Sequence, residues 1–73
     1  MIPVFIYTRH AVEKMDALGI DKKEVEQTVI KGMKWKEEKR VIWHAQMAGV
    51  EVVFQKQDKN FIVITTYFSG SKK

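Results

Sequence analysis

The stretch Gly19-Ile20-Asp21-Lys22-Lys23-Glu24 leaves this chain little freedom in its first half. Asp21 followed three residues later by Glu24 has the form of a reciprocal capping box. Gly19, just before it, is the residue best suited to the left-handed conformation that closes a helix. One helix must therefore end at Gly19 and another begin at Asp21, with only Gly19, Ile20 and Asp21 to turn the chain between them. The second helix is expected over Lys22 to Lys31, with Val25, Thr28 and Val29 inward and Gly32 as its stop. The first opens at Thr8, whose hydroxyl can accept an unpaired first-turn N–H. Its Ala11, Met15 and Leu18 share one face at helical spacing, with Val12 alongside. Tyr7 with Val12, and Ile20 with Val25, have the spacing of hydrophobic staples.

The periodicity then changes. Pro3 to Tyr7 is short, apolar and β-prone, with proline where a first or edge position tolerates it. From Arg40 the pattern alternates, and Arg40 to Ala45, Val50 to Lys56 and Phe61 to Phe68 read as strands joined through Gly49 and through Asp58 and Asn60. Met33 to Lys39 reads as a connector in which Trp35 is an anchor and the charged residues are solvated. The expected fold is α+β: an N-terminal strand, two helices and a three-stranded antiparallel meander, the helices covering the face of Val52, Phe54, Ile62 and Ile64. A four-residue first loop sets His44 opposite Glu51; a two-residue loop sets Gln46 there and His44 opposite Val53. In the first register His44, Glu51 and Tyr67 form one row on the open face, with Arg40 and Gln55 along the next.

At 73 residues the chain is one small domain, with residues 69 to 73 expected as a mobile tail. There is no cysteine and there are only two histidines, so neither disulfides nor a thiolate metal site is expected. No Gly-rich phosphate loop or metal motif occurs, and both serines lie in the terminal tail, which gives a serine nucleophile no support. No cofactor is expected. Hydrophobic residues make up 45% of the chain without any run near a membrane span, and the N-terminus lacks a signal-peptide pattern, so a cytoplasmic location is expected. The net charge of +4 is compatible with nucleic acid.

Chemistry-bearing residues gather in two places. Thr8-Arg9-His10 sits at a helix mouth, where the dipole favours anions and a guanidinium and an imidazole could hold a phosphate; the structural alternative is a histidine packed under the sheet. The second group is His44, Glu51 and Tyr67, for which the alternative is a polar ladder that merely stabilises the sheet.

The run Thr8-x-His10-Ala11, Lys14-Met15, Gly19-Ile20, Glu24-Val25, Gly32, closed by Ile64-Thr65-Thr66-Tyr67, resembles an uncharacterised family of small prokaryotic proteins with a T-x-H-A…R-M…R-G-I signature. Lys14 and Leu18 stand where that pattern has arginine. The resemblance implies a fold in the group of barnase, EndoU, colicin and RelE-like nucleases, many of them toxins that cut RNA without a metal. It makes His10 the signature histidine, and Thr65 and Tyr67 the closing strand's polar pair.

Two functions are expected from these residues. The first is a RelE-like, metal-independent endoribonuclease, possible as a toxin-type protein with an antitoxin-like partner. In it His10, His44 or Glu51 would move protons, and Tyr67 would give a proton or stack on a base. Arg9, Lys14 and Arg40 would offset phosphate charge, with Thr65 beside the RNA. His10 is favoured over His44 as the essential histidine. The alternative is a non-catalytic RNA- or protein-binding module, including a homodimer through the open face, where Ile42, Val53, Phe61 and Val63 are expected as an apolar patch.

Overall fold

A computed structural model describes residues 4–68. The elements run β1 (Val4–Tyr7), α1 (Arg9–Leu18), α2 (Lys22–Lys31), β2 (Met33–Lys36), β3 (Trp43–Met47), β4 (Val50–Gln57) and β5 (Asn60–Phe68). The fold is α+β, and its sheet is five-stranded and mixed, in the order β1-β5-β4-β3-β2. The antiparallel run β3-β4-β5 is the expected meander, but it is the centre of a larger sheet. β1 joins it parallel to β5, and β2 joins it antiparallel to β3. The proline expected to start the first strand and the expected tail lie outside the described residues. Among the described residues no helix is long and apolar enough to cross a membrane.

The helix boundaries follow from local chemistry. Thr8 Oγ1 accepts from the Ala11 N–H at 3.1 Å, and Gly19 closes α1 at φ 72°. Asp21 and Glu24 form the full capping box, with bonds of 2.8 and 3.1 Å. Gly32 ends α2 for another reason than conformational freedom, since its φ is −75°. A Cβ there would lie 2.5 Å from the Thr28 carbonyl oxygen and 2.6 Å from that of Gln46, so only glycine lets α2 pass directly into β2 against β3.

One core cluster joins Ala11 and Met15 of α1, Ile20 of the turn, and Val25 and Val29 of α2 to Ala45, Val50, Val52, Phe54 and Val63 of the sheet. Thr28 and Thr66 are the buried polar residues, and their hydroxyls donate to the Glu24 and Glu51 carbonyls at 2.7 and 2.9 Å. These bonds remove the cost of burying two hydroxyls. Tyr7 ties β1 to α2 by donating to Glu26 Oε2 at 2.8 Å, and Lys22 Nζ stands 5.4 Å from its ring centre. Burial, with this carboxylate bond next, raises the Tyr7 pKa.

Three strand expectations need correction, and the choice between the two hairpin registers is decided. Met33 to Lys36 is a strand, not a connector, because Met33-Lys34-Trp35-Lys36 alternates at period two beside an unpaired edge of β3. The third strand starts at Trp43 rather than Arg40, and Val41, inside the expected strand, is 59% exposed. Ala48 and Gly49 make a two-residue hairpin turn with φ of 53° and 83°, and this fixes the register with Gln46 opposite Glu51 and His44 opposite Val53.

The third correction concerns β5. Val50 to Val53 pair in order with Phe68 to Thr65, but Phe54 pairs with Val63, leaving Ile64 as the extra residue of a β-bulge. Beyond the bulge the faces exchange. Val63 is fully buried and Phe61 packs on the core, where Ile64 and Ile62 were expected. The carbonyl of the extra residue is not left bare, because the Thr8 hydroxyl donates to Ile64 O at 3.0 Å while the Thr8 N–H donates to Val63 O at 3.1 Å. Thr8 thus caps α1 and completes the bulge with one side chain.

Candidate functional site

Side chains alternate across each strand, so those opposite to the core residues form the open face of the sheet. Two cross-strand rows lie there: Thr65–Val53–His44–Trp35, and Tyr67–Glu51–Gln46–Met33. His44 and Glu51 are diagonal neighbours across these rows, within reach of long side chains. His44 Nδ1 lies 3.0 Å from Glu51 Oε2, which also accepts from the Tyr67 hydroxyl at 2.6 Å. On the other side of the ring, Nε2 lies 2.7 Å from Glu37 Oε2. Glu37 follows β2, and its N–H donates to Ile42 O at 2.9 Å, so the turn back to β3 holds it beside His44. Trp35 covers the imidazole, with ring centres 5.3 Å apart and planes within 3°.

This arrangement favours the protonated imidazole. A neutral imidazole can donate from one nitrogen only, and here both nitrogens face carboxylates, so the imidazolium satisfies both contacts. Burial of His44, its side chain 15% exposed, opposes the charge. The hydrogen bonds to Glu37 and Glu51 and their negative charges outweigh that, and the His44 pKa lies above its ordinary value. The Tyr67 hydroxyl is pushed up to about 12, first by its bond to Glu51 and then by burial. Glu51 is as enclosed as His44, at 12% exposure, whereas the Glu37 side chain is 37% exposed. The cluster therefore has a closed side at Glu51 and Tyr67 and an open side at Glu37.

The expected site residues divide. His44, Glu51 and Tyr67 come together, although through a diagonal contact rather than the single row of the four-residue register. Thr65 shares their face, opposite Val53. Arg40 is exposed in the turn that carries Glu37, and its N–H reaches the Glu37 carbonyl at 3.4 Å. His10, Arg9 and Lys14 belong to α1, and the hydrogen bonds of the cluster do not extend to them. His10 is exposed at the helix mouth, not packed under the sheet, and Arg9 Nε pairs with Glu13 Oε2 at 3.5 Å.

Sequence reasoning missed Glu37 and Trp35. The signal was the alternation Met33, Trp35, Glu37, which places all three on one face once Met33 to Lys36 is read as a strand. The apolar patch expected on the open face changes membership, since the bulge turns Phe61 and Val63 to the core and brings Ile62 to the open face in exchange.

No curated protein matches the sequence at a meaningful level. A family model does match, over residues 7–68, from the tyrosine before the Thr8 cap to the end of β5, and so covers both helices and the whole open-face cluster. The chain belongs to the DUF4258 family, a domain of unknown function.

Proposed function

We propose that this protein is a metal-independent endoribonuclease of the RelE-like kind, with its acid–base groups on the open sheet face. The observation that carries this reading is the imidazole of His44 held between two carboxylates, one enclosed and one open to solvent. Cleavage of RNA by its own 2′-hydroxyl needs a base for that proton, an acid for the leaving 5′-oxygen and a cation near the phosphate. Glu37 is the accessible base and the His44 imidazolium is the acid, its Nε2 freed when Glu37 turns to the substrate. Glu51 and Tyr67 act behind them. Glu51 holds Nδ1 as a carboxylate holds the histidine of a hydrolase triad, and Tyr67 fixes that carboxylate. Arg40, in the turn with Glu37, supplies the charge for the phosphate, and Thr65 lies along the same face.

The test is incubation of the purified protein with mixed-sequence RNA in a chelating buffer. Fragments ending in 2′,3′-cyclic phosphate are expected, lost in His44→Ala and in Glu37→Gln. Intact RNA with a folded parent protein would overturn the assignment.

One observation favours a second reading, a non-catalytic module for RNA or protein, including a homodimer through this face. Both His44 nitrogens are already occupied, so the cluster can serve as a rigid polar floor under the exposed Trp35 and Met33. RNA retained without cleavage, or a dimer in sedimentation that dissociates on Trp35→Ala, would support that reading instead.

A further inference from the structure

The opposite face of the sheet carries a second feature that the open-face cluster does not use. Each helix has 10 residues and spans about 15 Å. The hairpin they pack on is longer, since β4 has 8 residues and spans about 26 Å. The helix layer therefore stops short of the β4–β5 turn. Where it stops, a cleft of about 510 Å³ opens beside the C-terminal end of α2. Its floor is aromatic: Trp43 stacks on Phe54 at 6.5 Å, and Phe61 meets Phe54 edge-on at 5.6 Å.

The rim is basic. Position 56 follows Val50, Val52 and Phe54 on the core side of β4, where alternation calls for another apolar residue, and it is lysine. Position 34 pairs with buried Ala45 and is lysine too. Lys34 Nζ donates to the carbonyls of Ile30 and Gly32 at 3.2 and 3.0 Å, which holds its charge at the end of α2 and leaves one of its three donors for a ligand. Lys59 completes the rim, against one acid, Asp58.

We infer that this cleft binds an organic anion with a flat apolar body, the body lying on Trp43, Phe54 and Phe61 and a carboxylate, sulfonate or phosphate head meeting Lys34, Lys56 and Lys59. The volume is that of a small-molecule site, and an apolar lining with a few converging charges is its usual composition. Charge complementarity selects the anion. A neutral hydrophobe would gain the floor and leave the rim unused.

The test uses 8-anilinonaphthalene-1-sulfonate and its uncharged counterpart N-phenyl-1-naphthylamine on the folded full chain. One-to-one binding of the sulfonate is expected, tighter than that of the amine and weakened by added salt. The double variant Lys56→Gln/Lys59→Gln should weaken the sulfonate about three- to tenfold, as two partly exposed charge contacts would, and leave the amine unchanged. Ile30 lines the cleft and is 53% exposed, so Ile30→Glu keeps the fold and should abolish sulfonate binding. Val12→Glu, at an exposed position on α1, should not. Equal affinity for the two dyes, or sulfonate binding indifferent to Ile30→Glu and to the lysine pair, would overturn the inference. So would a dimer whose subunits occlude the cleft, seen as dye binding only upon dilution to monomer.

Discussion

A single oxygen, Glu51 Oε2, receives hydrogen bonds from both His44 and Tyr67. Removing its charge should therefore show at two residues. In Glu51→Gln the His44 pKa should fall and the Tyr67 pKa should move down from about 12, both read from pH titrations by NMR. The sign of the stability effect follows from the direction of these shifts. Each folded-state pKa lies above its unfolded value, so each contribution is complete below the unfolded value and is lost as pH rises through the folded one. For His44 that loss begins above about 6.5, the value of a free imidazole. The parent should lose stability relative to His44→Ala as pH climbs from there, measured by urea denaturation at a series of pH values. If cleavage uses the imidazolium as acid, its rate should fall over the same pH range. The two histidines separate cleanly at this scale. His10→Ala, favoured by sequence as the inactivating change, should spare cleavage if the open face is the site, and His44→Ala should remove it. The reverse pattern would move the chemistry to the mouth of α1.

Among the elements, the junctions carry the most testable stability. Gly32→Ala would press a methyl group against two backbone carbonyl oxygens, and either β2 or α2 must move. A loss of about 1–3 kcal/mol is expected, the usual cost of forcing extra bulk into a packed site. Thr8→Val keeps the shape of the side chain but removes both the α1 cap and the donor to Ile64 O, and should cost about 1–3 kcal/mol. The β3–β4 turn offers the opposite sign. Ala48 has φ 53°, a conformation that disfavours alanine, and Ala48→Asn would give the Asn-Gly pair preferred in this turn. A gain of about 0.5–1 kcal/mol is expected, checked by the thermal midpoint.

For the whole molecule, the balance of +4 makes any contact with RNA mainly electrostatic. The logarithm of the affinity for single-stranded RNA should fall linearly with log salt, and removing one phosphate contact by Arg40→Ala should lower the slope by about 0.7. Arg9→Ala gives the comparison across the molecule, because Arg9 lies on α1 and Arg40 beside Glu37. An equal loss from both would mean diffuse attraction, and a loss from Arg40→Ala alone would locate the phosphate on the open face. Loss for one RNA sequence only would mean base readout in place of backbone contact.

Local chemistry was enough to read the helices, because caps act within three or four residues: Thr8, Gly19, Asp21 with Glu24, and Gly32 are each legible in the sequence. The alternation of β4 was legible for the same reason. The partner of β1, the strand at Met33 to Lys36 and the bulge at Ile64 depend on contacts between distant residues, and periodicity in one segment does not encode them. Of the candidate site, His44, Glu51 and Tyr67 could be named because they fall on one face in either register. Their junction with Glu37 and Trp35 required β2 to pair with β3, which tertiary packing decides by burying Ala45 and seating Gly32 against Gln46.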